Sequence, residues 1–354
     1  MNPLAPGEFR PDTVYLNTAA YCLPPARGLA AVRAVTEDWA AGLATPHAHN
    51  DKVNELRAAF ARLLGGATPD DIAIGDNVSA LIAPIVAGLP AGAEVLMAEG
   101  DFASVTNPFR YRGDLTVRTM PLERLAAEVR AETALVAVSV TQSADGRTID
   151  PAELRAVTRA HGARLLLDAS QAAGWLPLHF ADADYWVCAT YKWLLGARSV
   201  SLFAVQPDAL DTNRPVSPGW YAAADRWAEM YASQRLADTA RRFDHSPDWL
   251  GVVAALAGLQ LIEELTVDAI QAHDLALATH FRDGLADVGL PAAPARSPIV
   301  TIPGAGEAAD RLAEAGVITT ARGGGLRCAF HIYNSLDDVE RTLKALAGLG
   351  FQQR

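Results

Sequence analysis

Between residues 71 and 205, short and nearly continuous apolar runs alternate with segments of helical spacing, a rhythm few folds can accommodate. The runs at 71–75, 94–99, 134–141, 164–169, 183–190 and 199–205 lack the alternation of a strand with one wet face. Each therefore predicts a strand covered on both sides. The stretches between them at 79–88, 122–131 and 151–161 repeat their apolar residues at helical spacing. Together they predict an α/β domain built on a mixed, mostly parallel sheet. Local punctuation agrees. Asp150, Pro151 and Glu153 supply a cap, a first-turn proline and a capping-box acid, and Gly162 stands where a left-handed helix end is expected.

The flanks read differently. Residues 1–25 are rich in proline, and helices are expected at 26–42 and 51–64. Prolines 207, 215 and 218 mark a long connection. Beyond it the spacing predicts helices at 249–264 and 268–288, a strand at 298–302, a helix near 307–315, strands at 317–320 and 326–332, and a last helix capped by Ser335 with Asp338. The expected division is an N-terminal segment (1–50) packing with the small domain, a large domain (51–248), and a smaller α+β domain (249–354).

The chain's 354 residues allow a large core, and a formal charge of −11 argues against binding nucleic acid or an anionic membrane. No apolar run reaches the length of a membrane span, and the start of the chain lacks a basic, apolar leader. A cytoplasmic location is the expectation. Three scattered cysteines fit neither a disulfide framework nor a zinc site, and no metal is expected.

In open α/β sheets ligands bind beyond the carboxyl ends of the strands, so the polar residues there are the candidates. Lys192 follows one such strand among Tyr191, Trp193 and Leu194. Loss of solvation would keep its amine neutral and nucleophilic towards a carbonyl; the alternative is a lysine that snorkels to water. Asp168 ends the apolar run Leu165-Leu166-Leu167, where a carboxylate needs a cationic partner: a salt bridge, a metal or a protonated ring nitrogen. Asn77, Val78 and Ser79 open a helix directly after a strand, an anion site or else a plain N-cap. An aldehyde trap, a pyridinium partner and a phosphate cradle are the three requirements of pyridoxal 5′-phosphate.

Four stretches carry a resemblance: residues 14–20 (Val-Tyr-Leu-Asn-Thr-Ala-Ala), 165–174 (Leu-Leu-Leu-Asp-Ala-Ser-Gln-Ala-Ala-Gly), 190–196 (Thr-Tyr-Lys-Trp-Leu-Leu-Gly) and 325–334 (Gly-Leu-Arg-Cys-Ala-Phe-His-Ile-Tyr-Asn). The chain resembles the class V aminotransferase family, pyridoxal-phosphate enzymes of fold type I that include cysteine desulfurases, kynureninases and isopenicillin-N-epimerase-like proteins. The resemblance implies that Lys192 forms the Schiff base, Asp168 pairs the pyridine nitrogen, and Gln171 bonds the phenolic oxygen, with Ser143 nearby. It implies that the Val78 backbone, Ser79 and Thr190 hold the phosphate, joined by Ser246 from a neighbouring subunit of a homodimer. Phe102 would stack on the ring. Arg327 would grip the carboxylate of an amino-acid substrate, with Arg322 as second candidate. The chain departs from the family pattern at Tyr191, where a histidine is usual, at Phe102, and at Ala197-Arg198-Ser199.

The reaction is less constrained. Arg327 and Cys328 are strand neighbours and face opposite ways, so if Arg327 meets substrate, Cys328 does not. Cys188 reads as core packing and Cys22 as structural, which disfavours persulfide-type desulfuration. β-Elimination by a C–S lyase is the favoured expectation and transamination the alternative. Epimerisation and a non-catalytic binding role stand behind them. His331 and Tyr191 are possible acid–base helpers, though His331 also suits a structural role. Tyr21, Trp220, Tyr221 and Trp249 are expected in the pocket wall.

Overall fold

The computed structural model describes residues 1–231 and 235–349. Residues 232–234 and 350–354, which fall within the expected large and small domains, lie outside the described residues.

Seven strands form the central sheet: β2 (Ile72–Gly75), β3 (Glu94–Ala98), β4 (Thr116–Met120), β5 (Thr133–Ser139), β6 (Arg164–Asp168), β7 (Tyr185–Ala189) and β8 (Ser201–Val205), in the order β2-β8-β7-β6-β5-β3-β4. β4, β3, β5, β6 and β7 run parallel, and β8 is antiparallel to both β7 and β2. Two reversals restore direction, so β2 points the same way as the parallel set. Its carboxyl end therefore lies on the same sheet edge as those of β3, β5, β6 and β7. Every residue of β2, β3, β7 and β8 is buried, as their continuous apolar runs require.

The helices around this sheet are α1 (Ala26–Ala40), α2 (Pro46–Leu63), α3 (Val78–Gly88), α4 (Ala103–Arg110), α5 (Pro151–Ala160) and α6 (Trp249–Leu265). Asp150 accepts from the Ala152 and Glu153 N–H groups at the start of α5, and Gly162 has φ +73° beyond its end. A three-stranded antiparallel sheet, β11-β12-β9 (Thr320–Arg322, Gly325–Ala329 and Ile299–Ile302), packs with α7 (Val267–Asp287), α8 (Ala308–Glu314) and α9 (Leu336–Gly348). β1 (Val14–Tyr15) pairs in parallel with β10 (Val317–Ile318). Among the described residues no single helix is long and apolar enough to cross a membrane.

The observed elements differ from the expected ones in places. β4 is an edge strand whose residues are exposed or half-buried, and it lacks the continuous apolar run that marks its neighbours. The helix expected at 122–131 is two short 3-10 turns, Leu122–Arg124 and Ala126–Glu128. Arg118 on β4 binds both the Glu128 carboxylate (3.0 Å) and the Glu128 carbonyl (3.2 Å). That carbonyl would have to accept within a continuing helix. The strand expected at 326–332 ends at Ala329, and α4 had no counterpart among the expected elements.

Candidate active site

The carboxyl-end edge of the sheet gathers the candidate residues. Lys192 lies three residues beyond β7 and is 6% exposed, so its head does not snorkel to water. Its ammonium sits 5.3 Å from the Phe102 ring centroid and 5.6 Å from that of Tyr191. Burial pulls its pKa down, against the opposing field of Asp168, and Arg327 and Arg322 add to the downward pull. This downward shift moves the amine towards the neutral form that carbonyl attack requires.

Asp168 closes β6 and is buried. One oxygen accepts the Ser170 N–H at 2.7 Å, and burial pushes the carboxyl up despite the nearby Lys192. Among the described residues this carboxylate makes no ion pair, which suits a protonated ring nitrogen as its partner.

Gln171 is held on three sides. Its Oε1 accepts from the Trp193 indole at 2.8 Å, so its amide nitrogen must point the other way. That nitrogen donates to the Ala19 carbonyl (2.8 Å) and the Ser143 hydroxyl (3.1 Å). Sequence reasoning missed the Trp193 contact, because nothing in a lone tryptophan shows which way its N–H turns.

Arg327 on β12 is 1% exposed and has no carboxylate partner among the described residues. One Nη donates to the carbonyl (2.6 Å) and hydroxyl (2.9 Å) of Ser143, while Nη2 is buried without an acceptor. Burial, helped by Arg322, lowers this guanidinium to about 10. A buried guanidinium with one empty prong is a receptor for a planar anion. Arg322 stands exposed on β11, close enough to act on both Lys192 and Arg327.

At the start of α3 the Asn77 side chain accepts the Ala80 N–H and the Ser79 hydroxyl, both at 2.9 Å. The N–H groups of Val78 and Ser79 then remain unpaired in the first turn, as an anion cradle needs. Ser246 is exposed and follows His245, whose N–H donates to the Ile74 carbonyl at the end of β2 (2.9 Å). Phe102, 44% exposed, begins α4 and is steadied by Asp101, which accepts its N–H at 2.7 Å.

Thr190 differs. It is fully buried, and its hydroxyl faces the carbonyls of Ala197 (3.0 Å) and Val200 (2.9 Å) rather than open space. A hydroxyl has one proton to donate, and here it is directed into the protein. His331 is likewise enclosed, bonded at both ring nitrogens. Of the aromatic residues expected in the wall, Tyr21 lies beside Tyr191 with ring centroids 5.9 Å apart. Tyr221 instead bonds Asn50 and lies under Arg226, and Trp249 stacks on His49.

An enclosed lysine, a strand-end carboxylate without an ion pair, an open helix N-terminus and an orphaned arginine prong fit pyridoxal phosphate and a carboxylate substrate. The sequence matches the model of the aminotransferase class-V family over residues 14–343. The chain belongs to that family. It is accordingly a pyridoxal-phosphate-dependent enzyme. It is 28% identical over 317 residues to an uncharacterized aminotransferase, YcbU, of Bacillus subtilis, covering 84% of each chain. It is 29% identical over 265 residues to the isopenicillin N epimerase of Streptomyces clavuligerus, covering 66% of this chain and 64% of that one. Among solved structures, the cystine C–S lyase C-DES in complex with cysteine persulfide superposes with a TM-score of 0.87 at 22% identity, over 95% of this chain and 97% of that one. That likeness establishes the fold.

Proposed function

We propose that the protein is a C–S lyase that cleaves the Cβ–S bond of cysteine-like or cysteine-conjugated amino acids. The observation that carries this reading is the state of the three thiols. Cys22, Cys188 and Cys328 are all buried, burial pushes Cys22 and Cys328 up to about 12, and Cys188 is raised well above its usual value. A persulfide-forming desulfurase needs an accessible thiolate. Elimination needs none.

In this reading Arg327 Nη2 receives the substrate carboxylate and turns Cα towards Lys192. Bound pyridoxal phosphate supplies an electron sink conjugated to Cα. Lys192 Nζ accepts the Cα proton, a role suited to an amine whose pKa burial lowers. Asp168 would hold the ring nitrogen and the Val78 and Ser79 N–H groups would hold the phosphate, with the Thr190 hydroxyl turned to the Ala197 and Val200 carbonyls instead. Gln171 and Ser143 would face the phenolic oxygen, and Phe102 would cover the ring. Breaking the Cα–H and Cβ–S bonds releases a thiol or persulfide, and water completes the conversion to pyruvate and ammonia.

A homodimer belongs to the same proposal. Ser246 is exposed, and Trp39 and Leu43 of the N-terminal segment are 67% and 68% exposed, as a face awaiting a partner would be. The domain limits 1–50, 51–248 and 249–354 and a cytoplasmic setting complete the proposal.

The cofactor-loaded protein, incubated with L-cystine or cysteine conjugates and no keto acid, is expected to release pyruvate and ammonia. Product formed only after a keto acid is added would replace elimination by transamination, the reading that the likeness to YcbU favours.

A further inference from the structure

We propose that Asp274 and His331 are a positioning pair for Lys192, acting through the peptide carbonyl of Trp193. This rests on reading Lys192 as the cofactor lysine. His331 lies just beyond β12 and is 0% exposed. Its Nδ1 is 2.9 Å from Oδ2 of Asp274, on α7 and also 0% exposed, and its Nε2 is 3.1 Å from the Trp193 carbonyl oxygen. A carbonyl can only accept, so Nε2 carries a proton and the ring's orientation is defined. Asp274 is anchored through its other oxygen by Nδ1 of His273 (3.0 Å), whose Nε2 reaches the Asn2 carbonyl (3.2 Å).

The carbonyl held in this way belongs to the residue directly after Lys192. Trp193 is also held at its other end, where its indole donates to Gln171, and Gln171 and Arg327 converge on the Ser143 hydroxyl. Its ring packs edge-on against His331, with centroids 5.1 Å apart. Two residues on, Leu195 has φ +58°, a left-handed backbone that is unfavourable for a residue bearing a side chain. Such a conformation persists where its surroundings over-determine it. The clamp comes from α7 and the end of β12, outside the sheet that carries the lysine. These elements therefore set the aim of the amine without touching cofactor or substrate.

Two substitutions separate positioning from mere packing. In His331→Gln the amide nitrogen can take the Nε2 place and donate to Trp193. In His331→Asn the shorter amide reaches only the Nδ1 place, towards Asp274. The readouts are the pH midpoint of the visible cofactor band of the loaded protein and the thermal midpoint. His331→Gln is expected to keep the wild-type pH midpoint and His331→Asn to move it by about one unit, a tenfold change in proton affinity, while both lose similar thermal stability. Equal pH midpoints in wild type and His331→Asn would overturn the proposal, as would equal displacement in both variants. Should neither variant fold, ¹H–¹⁵N spectra of the wild-type His331 ring decide. A slowly exchanging Nε2 proton is expected, and an unprotonated Nε2 overturns the clamp. A wild type without any visible band would remove the cofactor reading itself, and the ring-proton measurement would still decide the clamp.

Discussion

Lys192 and Arg327 concentrate the chemistry, and their burial makes separable predictions. Replacing Arg327 by lysine keeps a charge but loses the planar fork. The Michaelis constant for the amino acid is expected to rise at least roughly tenfold while the visible band is retained. An unchanged constant would place the carboxylate elsewhere. Burial lowers the lysine's pKa below its usual value, so in the window between that lowered value and 10.5 the unfolded chain binds more protons at this site than the folded one. In cofactor-free protein Lys192 therefore makes stability rise with pH across that window. Urea titrations through it should show this slope in the wild type and its loss in Lys192→Met. An identical slope in both would mean that the folded amine is as basic as the unfolded one.

Elements hold these residues through contacts that differ in how far the sequence reveals them. The strands β2, β3, β5, β6, β7 and β8 were legible because burial on both faces forces unbroken apolar runs, and Asp168 stood out as the acid closing one of them. β4 was not, since an edge strand needs no such run, and neither was α4, a helix of one or two turns. Asp274 was equally hidden. On α7 it reads as one more polar helix residue, and only the packing shows it enclosed between two histidines. Asp244 gives the clearest element-level test. It is buried, bonds Nη2 of Arg57 on α2 at 2.6 Å, and accepts the Ile74 N–H of β2 at 2.9 Å. Asp244→Ala would leave Arg57 charged, buried and unpaired. Chemical unfolding should register a loss of about 3–5 kcal/mol, and a loss below 1 kcal/mol would show that water or a rearranged partner replaces the carboxylate. Gly174, at φ +101° with any Cβ facing the Trp193 carbonyl at 2.8 Å, lets the β6 loop pass beneath the lysine turn.

At the scale of the whole molecule the sheet topology explains why residues scattered from Asn77 to Arg327 can converge. Two antiparallel pairings around β8 bring the carboxyl end of β2 back to the edge where β3, β5, β6 and β7 also end. The family is legible from the motifs at 165–174 and 190–196, whereas the enclosure of the three thiols is decided only by the fold. If the site is completed across a two-fold axis, sedimentation should report a dimer, and Ser246→Ala should weaken cofactor retention without dissociating it. An active monomer would remove Ser246 from the site. The central claim is that Lys192 holds the cofactor, and reducing the loaded protein with borohydride and mapping the peptides tests it most directly. The account predicts a reduced pyridoxal-phosphate adduct on the peptide carrying Lys192; an adduct on another lysine, or none, would contradict it.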